Sequence, residues 1–339
     1  MRRAGTTATP ERLDSASTDP HCQDMNRRAL LTRAALVAAG LGGAWWLRDH
    51  VLWRDPGVAF GPERSSGWLD YDEPRAVVPT VRVTVAGQSI RALVDSGAQY
   101  SVIDRSLFER LGLTQAFDIP LVAYGVGGGA QMGRGVTLDV SVGGMRIEAL
   151  RAAILSLGPL AEGDGLASPL ILGQDLLGQT VLELDTEERR MRFLPRDGHA
   201  PSPDLAGISV SRAGGALTTE VTVEGATIQA VVDTGASALL ALSREAAESA
   251  GLLDGRPSER GASIVLGGSI ESQIVRSRTI TIGDQIYRDA STPIYADVPL
   301  PGFPAALVGM EAFAGRTLLL DLGGGRLHAS RPLDLTIGR

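Results

Sequence analysis

Alternation of apolar and polar positions is the clearest pattern along the chain. Val81, Val83 and Val85 alternate with polar residues, which predicts a strand with one buried face. A turn at Gly87 then leads into an apolar run that ends at Asp95. The pattern predicts a β-hairpin whose second strand runs directly into a carboxylate.

The same pattern occurs a second time. The stretch VTVAGQSIRALVDSGA (83–98) aligns without a gap with VTVEGATIQAVVDTGA (221–236), and ten of the sixteen positions are identical. The offset between the two aspartates, Asp95 and Asp233, is 138 residues. Repetition of this length predicts two copies of one structural unit.

The correspondence continues beyond the aspartates. Asp104 and Ser243 are good helix N-caps, and each is followed eight residues later by Gly112 or Gly251, which predicts one short helix per copy. Three further pairs of segments follow in the same order. The first pair, VSVGGMRI (140–147) and ITIGDQIY (280–287), predicts hairpins with two-residue turns. The second pair is LILGQDLL (170–177) with ALVGMEAF (306–313), and the third is TVLELD (180–185) with TLLLDL (317–322). We therefore expect a duplicated unit of about 120 residues, made mostly of strands.

These elements predict an all-β fold of two similar lobes with few short helices. The expected organisation is a targeting segment (1–47, with a possible start at Met25), a tether or irregular lead-in strand (48–75), an N-terminal lobe (76–195), a linker with Pro, Gly and Ser (196–207) and a C-terminal lobe (208–335).

Composition narrows the possible functions. Aromatic residues make up only 4% of the 339 residues, so the cores must consist mainly of Val, Leu, Ile and Ala. The net charge of −7 argues against a nucleic-acid-binding protein, whose affinity depends on basic patches. A single cysteine, Cys22, cannot form a disulfide within the chain, and the four histidines are scattered. No metal or other cofactor is expected.

The N-terminus has the pattern of a targeting segment. Arg27 and Arg28 precede an apolar run of about 14 residues from Ala34 to Leu47, which is short for a membrane span but suits a signal sequence. The order NRRALL (26–31) resembles a twin-arginine export signal, which predicts a periplasmic or secreted protein. Because there is no clean A-x-A cleavage site, an uncleaved anchor is the alternative. It would hold the protein outside the inner membrane, associated through residues 29–47.

Each copy contains an aspartate followed by a hydroxyl residue, glycine and alanine. One such sequence is a weak signal, because aspartates in turns often bond their own backbone. Two copies in matched surroundings, LVDSGA and VVDTGA, are a much stronger signal of shared chemistry.

Here the sequence resembles the aspartic peptidases, specifically the retroviral-type (retropepsin-like) branch. That family has two apolar residues before Asp-(Ser/Thr)-Gly-Ala and, later, two apolar residues before a glycine. Both signatures occur in both copies, as LVDSGA with LILG and VVDTGA with ALVG, and the resemblance covers roughly residues 76–330. It implies two closed β-barrel-type lobes that face each other across a cleft.

The resemblance implies that Asp95 and Asp233 are the catalytic pair. Two carboxylates about 3 Å apart cannot easily both ionise, so the pair tends to hold one proton. The charged member can accept a proton from water, and the neutral member can hydrogen-bond the substrate carbonyl and later help protonate the leaving nitrogen. Such a mechanism needs no covalent intermediate.

The same resemblance assigns supporting roles to neighbouring residues. Ser96 and Thr234 are expected to hydrogen-bond to the opposite loop, and the glycines are expected to allow tight turns and to support the loops from below: Gly97, Gly235, Gly173 and Gly309.

Alanine follows the glycine in both copies, whereas many acid-acting relatives have a hydroxyl residue there. A hydroxyl can hydrogen-bond a catalytic carboxylate and favour its charged form, but Ala98 and Ala236 cannot. We expect a working pH between weakly acidic and neutral.

A glycine-rich segment, YGVGGGA (124–130), lies about 30 residues after Asp95, where retroviral proteases have a substrate-covering flap. The expected flap residues are Tyr124, Gly125, Val126, Gly127 and Gly128, and VLGGS (265–269) is a candidate second flap. Both segments are also compatible with plain surface hairpins, and Tyr124 with a core or rim position. The partial match to a dinucleotide fingerprint is discounted, because a strand rather than a helix is predicted to follow.

The sequence therefore predicts an exported aspartic endopeptidase that acts on extended or unfolded polypeptides. It is expected to be a monomer with pseudo-two-fold lobes and no nucleic-acid partner. One alternative is a non-catalytic exported protein that keeps the fold and binds peptides or serves as a scaffold, although both aspartates, glycines and hydroxyl residues are retained. Another is an anchored protease with one specific partner.

Overall fold

The computed structural model describes residues 54–124, 130–162, 166–197, 200–265, 268–296 and 304–331. The predicted targeting segment, 1–47, lies outside these residues. The regular secondary structure of the described residues is almost entirely β, with three short helices, as the sequence predicts. None of its helices is long and apolar enough to cross a membrane.

The first half contains eleven strands, eight of which form one sheet. They are β1 (Gly57–Phe60), β2 (Leu69–Asp70), β3 (Thr80–Val85), β4 (Gln88–Val94), β5 (Ser101–Asp104), β6 (Ala116–Tyr124), β7 (Ala130–Val142), β8 (Met145–Leu155), β9 (Leu170–Leu172), β10 (Thr180–Asp185) and β11 (Arg190–Pro195).

The other three strands, β2, β10 and β11, lie in a different sheet. Six of the eight close into a barrel in the order β8–β5–β9–β4–β3–β7, since β7 also pairs with β8. Strands β1 and β6 extend it at β8 and β7. The pairs β4–β9 and β5–β8 are parallel, which places the end of β4 beside the end of β9 inside the fold.

The second half repeats this arrangement. Its strands are β12 (Leu205–Ile208), β13 (Ser211–Ala213), β14 (Ala216–Val223), β15 (Ala226–Val232), β16 (Leu240–Ser243), β17 (Ser258–Val265), β18 (Gly268–Ile282), β19 (Gln285–Tyr295), β20 (Ala306–Val308), β21 (Thr317–Asp321) and β22 (Arg326–Ser330). Six of them close into the barrel β14–β15–β20–β16–β19–β18, and the parallel pairs β15–β20 and β16–β19 correspond to those of the first half.

A third sheet joins the halves. Its order is β12–β22–β21–β10–β11–β2, so each half contributes three strands. At its centre, β10 pairs antiparallel with β21, and Leu182 lies opposite Leu320. The predicted tether contributes β2 to this sheet, and the end of the predicted linker contributes most of β12. The other strand of the tether, β1, belongs to the first sheet. Both segments therefore supply outer strands of this shared sheet.

Matching ion pairs close the two hairpins of the shared sheet. Asp185 at the end of β10 pairs with Arg190, and Asp321 at the end of β21 pairs with Arg326. In both pairs the guanidinium binds one carboxylate oxygen through Nε and a terminal nitrogen. The duplication therefore extends to the side chains that hold the turns.

The helix and hairpin predictions are confirmed. Helix α1 (Arg105–Arg110) is capped by Asp104, α2 spans Gln174–Leu177, and α3 (Arg244–Ser249) is capped by Ser243. Two 3-10 turns cover Gly158–Leu160 and Met310–Phe313. The glycines after α1 and α3 have φ values of 63° and 68°, in the left-handed region expected at a helix end.

The strand pattern also matches the burial of side chains. Val81, Val83 and Val85 are at most 2% exposed, whereas Arg82 and Thr84 are exposed. Most buried apolar side chains of the described residues are Val, Leu, Ile or Ala, as the low aromatic content predicts.

Candidate active site

The two predicted aspartates lie at equivalent places in the two barrels. Asp95 follows β4, and its backbone N–H donates to the Leu172 carbonyl of β9 at 3.0 Å. Asp233 follows β15, and its N–H donates to the Val308 carbonyl of β20 at 2.9 Å. Each aspartate is therefore held at the end of a strand by the parallel strand beside it.

The two loops meet so closely that only glycine fits at one position in each. A Cβ built on Gly97 would lie 2.6 Å from Cγ of Asp233, and one built on Gly235 would lie 2.5 Å from Cγ of Asp95. Real Cβ atoms do not approach other atoms this closely, so both glycines are required by the approach of the opposite carboxyl group.

The hydroxyl residues next to the aspartates connect the loops. Oγ of Ser96 donates to the Val232 carbonyl at 2.8 Å and accepts from the Thr234 N–H at 3.0 Å. Oγ1 of Thr234 donates to the Val94 carbonyl at 2.8 Å and accepts from the Ser96 N–H at 2.9 Å. Both residues are 1% exposed. The cross-loop hydrogen bonding expected of Ser96 and Thr234 is thus present in full.

The carboxyl groups of Asp95 and Asp233 lie close together where the two loops meet, and both residues are half-buried. Burial raises the pKa of Asp95, although hydrogen bonds from Asp233 and from the backbone N–H groups of Gly97 and Ala98 lower it in part. Burial, followed by the negative charge of Asp95, raises the pKa of Asp233 well above its usual range. The two groups titrate together, so a form with one shared proton is favoured.

Backbone donors complete the environment of each carboxylate. Oδ1 of Asp95 accepts from the N–H groups of Gly97 at 2.8 Å and Ala98 at 3.0 Å. Oδ1 of Asp233 accepts from the N–H of Gly235 at 2.8 Å. These bonds fix the direction in which each carboxyl group points.

Gly173 and Gly309 lie beneath the two loops. A Cβ on Gly173 would lie 2.6 Å from the backbone of Tyr100, and one on Gly309 would meet the backbone of Ala236 and Ala238 within 3 Å. The supporting position that the sequence predicts for these glycines therefore has a direct steric reason.

Two acidic residues with a supporting place were missed by the sequence reasoning. Asp175 accepts from the backbone N–H and the hydroxyl of Ser101, at 3.1 and 2.8 Å. Glu311 accepts from the Leu239 N–H at 3.2 Å. The repeat contained a signal for these residues, because an acidic residue is the second residue after the glycine in both LILGQD and ALVGME.

The predicted flap residues are only partly described. Tyr124 ends β6, which pairs with β7 in a hairpin, but Gly125, Val126, Gly127 and Gly128 lie outside the described residues. Of the second candidate flap, Val265 ends β17 and Gly268 begins β18, whereas Leu266 and Gly267 lie outside the described residues. Substrate covering by either segment stays a prediction.

No group of three or more His, Cys, Asp or Glu side chains within the described ranges is arranged to hold a metal ion. The candidate site therefore consists of two titratable side chains, Asp95 and Asp233, which come from equivalent loops of the two halves.

Comparisons with known proteins match both halves. A family model described as "Aspartyl protease" matches residues 81–176 and 219–312, more than half of the chain. DNA damage-inducible protein 1 of Yarrowia lipolytica (strain CLIB 122 / E 150) is 31% identical over 136 residues, which cover 38% of this chain and 31% of that protein. The match thus spans about a third of that relative. The crystal structure of basic 7S globulin from soybean aligns with a TM-score of 0.45 at 10% identity, covering 82% of this chain and 95% of that one.

Proposed function

Because this chain belongs to the aspartyl protease family and carries the family's unit twice, we propose that it is an aspartic endopeptidase that uses Asp95 and Asp233. The retropepsin-like resemblance seen in the sequence is confirmed by the tandem family match and by the fungal relative. The observation that carries the proposal is that the two halves bring one carboxyl group each to the place where their loops meet, so closely that only glycine fits opposite each carboxyl.

The proposed chemistry is general acid–base catalysis by a pair that holds one proton. The charged carboxylate accepts a proton from a water molecule, whose oxygen then bonds to the carbonyl carbon of the scissile peptide. The protonated carboxyl donates its proton to the carbonyl oxygen. The tetrahedral intermediate then collapses and its C–N bond breaks. The carboxyl that took the proton of the water gives it to the leaving nitrogen, and a hydroxyl of the intermediate returns its proton to the other carboxylate, which restores the starting form of the pair.

The proposed substrate is an extended or unfolded polypeptide. A peptide bond inside folded structure cannot reach two carboxyl groups that are themselves half-buried between loops. An extended segment can satisfy its backbone groups by pairing with strands, as in other cases of β-strand addition. Because both aspartates belong to one chain, a monomer with pseudo-two-fold lobes is sufficient, and no nucleic-acid partner is proposed.

We also propose that the protein acts outside the cytoplasm. The support is the order of arginines and apolar residues in 26–47, which resembles a twin-arginine signal. The alternative location is the outer face of the inner membrane, with residues 29–47 as an anchor. Mass spectrometry of the N-terminus of the exported protein separates a removed signal from a retained anchor.

The test of catalysis uses the full chain with unfolded protein and a peptide library as substrates. Cleavage by the wild type and its loss in both Asp95→Asn and Asp233→Asn are expected. Asp118→Asn is the matched control, since the Asp118 side chain is 97% exposed, and it should cleave like the wild type. Peptide binding without cleavage by the wild type would contradict the proposal and favour a peptide-binding scaffold.

A further inference from the structure

Gln174 lies directly beneath the Asp95 loop. It is the first residue after Gly173, and its Nε2 donates to the Ser96 carbonyl at 2.8 Å. That carbonyl and the N–H of Gly97 belong to the same peptide group, and the Gly97 N–H donates to Oδ1 of Asp95 at 2.8 Å. One peptide group therefore connects the amide of Gln174 with the carboxylate of Asp95.

A hairpin of the second half lies against the oxygen end of the Gln174 amide. A Cβ built on Gly215, in the turn between β13 and β14, would lie 2.5 Å from Oε1 of Gln174. A side chain at position 215 would therefore displace the amide. Gln174 is thus confined between the active-site loop of its own half and a hairpin of the other half.

Among the residues that the structure describes, no side chain donates in the same way to the Thr234 carbonyl of the Asp233 loop. Met310 occupies the equivalent place, because its N–H donates to the Ala236 carbonyl at 2.8 Å just as the Gln174 N–H donates to the Ala98 carbonyl at 2.9 Å. Met310 is 2% exposed, and a thioether has no hydrogen to donate. The two loops also differ at the next N–H, since that of Ala98 donates to Oδ1 of Asp95 at 3.0 Å whereas that of Ala236 donates to the backbone carbonyl of Asp233 at 3.3 Å. Both differences favour charge on Asp95.

We propose that Gln174 is a positioning residue that makes Asp95 the charged member of the pair and leaves the shared proton on Asp233. A hydrogen bond to a peptide carbonyl polarises the peptide and makes its N–H a stronger donor. The Gly97 N–H then stabilises the carboxylate of Asp95 more than the Gly235 N–H stabilises that of Asp233. In the reaction, Asp95 accepts the proton of the water and Asp233 donates to the substrate carbonyl. This inference rests on the proposed protease function.

The other titratable groups near the two loops do not produce this difference. Asp175 and Glu311, on the elements beneath the loops, occupy equivalent places and each accept a backbone N–H. Tyr100 follows the Asp95 loop, and its hydroxyl accepts from Gln99 at 3.3 Å. The carboxyl that faces Asp95 is Asp233 itself.

The expected pH effect has a definite sign. Gln174 stabilises the first charge on the pair, so its removal should raise the pH at which the fully protonated pair loses a proton. The pair loses its second proton from Asp233, while Asp95 is charged both before and after. The pH of this second ionisation should therefore change little. The acid limb of the kcat/KM profile should therefore move upward while the alkaline limb stays in place.

The main test compares Gln174→Met with the wild type over the full pH range. We expect the acid limb to rise by about 0.3–1 pH unit, the size of effect expected from one strengthened hydrogen bond. Gly215→Ala should produce a shift of the same sign by displacing the amide, with Gln174 itself unchanged. Gln229→Met is the matched control, because Gln229 is exposed on β15, and its profile should equal that of the wild type.

Carboxyl ¹³C titration by NMR gives a readout that does not depend on cleavage. The lower of the two apparent pKa values of the pair should rise in Gln174→Met. This result is expected even if the wild type cleaves no substrate, because the absence of cleavage would contradict only the proposed function. A uniform loss of activity at every pH, with unchanged limbs and unchanged carboxyl titration, would overturn the positioning role. In that case Gln174 would be a structural residue only.

Discussion

At the scale of single residues, Gly97 and Gly235 set how closely the two carboxyl groups can approach. Gly97→Ala should lower kcat/KM by about 100-fold or more, because its Cβ would lie 2.6 Å from Cγ of Asp233 and displace that carboxyl. Gly207→Ala is a suitable control, since a Cβ there would meet only the His328 ring at an ordinary 3.8 Å. A Gly97→Ala protein with more than half of the wild-type kcat/KM would contradict this steric account.

The raised pKa of Asp233 has a consequence for stability. A carboxyl whose pKa is higher in the folded than in the unfolded protein stabilises the fold below about pH 4, and this contribution is lost as the pH rises through the folded value. Asp233→Asn removes the buried charge. Its Tm should therefore exceed that of the wild type by a margin that grows from pH 4 to pH 8, by about 2 °C or more.

The control for this measurement is Asp118→Asn, whose side chain is almost fully exposed. Its Tm difference from the wild type should be the same at both pH values. A margin for Asp233→Asn that shrinks between pH 4 and pH 8 would mean that the pKa of Asp233 is not raised.

The alanines after the glycines bear on the working pH. We expect kcat/KM to peak between weakly acidic and neutral pH, because neither Ala98 nor Ala236 offers a hydroxyl to the carboxylates and burial raises both pKa values. Ala98→Ser should move the acid limb downward by supplying such a donor. A wild-type peak below about pH 3 would contradict the expectation.

The sequence was sufficient to predict which aspartates meet, because the repeat places them at equivalent positions. It was not sufficient for Gln174. A glutamine after an apolar strand has no distinctive chemistry until the fold places its amide against the Ser96 carbonyl on one side and Gly215 on the other.

At the scale of elements, the cross-loop hydrogen bonds of Ser96 and Thr234 couple the two barrels. Ser96→Ala would leave the Val232 carbonyl and the Thr234 N–H without this hydroxyl partner in a buried place. Each such loss costs about 1–3 kcal/mol, so the free energy of unfolding measured in urea should fall by about 2–6 kcal/mol.

Ser96→Thr provides the control for this substitution. Threonine performs the same role at position 234, so this variant should keep most of the stability and activity that Ser96→Ala loses. Equal unfolding free energies for Ser96→Ala and the wild type would show that the hydroxyl contributes little.

Local elements were predicted well because their signals are local. The alternation at 81–85, the caps at Asp104 and Ser243, and the two-residue turns at 143–144 and 283–284 each depend on a few neighbouring residues. The first predicted flap also corresponds to a hairpin, although its glycines lie outside the described residues.

At the scale of the whole molecule, the shared sheet joins the halves independently of the connecting segment. A chain cut once within 200–203, at an engineered site, should remain a one-to-one complex in size-exclusion chromatography with light scattering. The reason is that β10 still pairs with β21, and Leu182 and Leu320 are each 1% exposed.

The same cut in a Leu182→Asp chain is the comparison, because a buried charge opposite Leu320 should weaken the pairing of β10 with β21. Its halves should separate or aggregate. Separation of the halves in the cut wild type would mean that the connecting segment, rather than the sheet, holds them together.

The shared sheet is also the part of the fold that the sequence did not predict. Its central pair joins residues such as Leu182 and Leu320, which are 138 positions apart, and strand patterns alone do not identify such distant partners. The short strand β2 lies in the segment expected to be a tether or an irregular lead-in strand, and the sequence did not indicate that it joins this sheet.

Gln174 and Met310 occupy equivalent positions in the two halves, and their difference bears on why both units share one polypeptide. An assembly of two identical subunits must place the same amino acid at both symmetry-related sites, so any change made beside one acid is made beside the other. Covalent fusion removes this constraint and lets each active-site side evolve separately. Here an amide lies beside one aspartate and a thioether beside the other, and a homodimer of identical chains cannot have this difference.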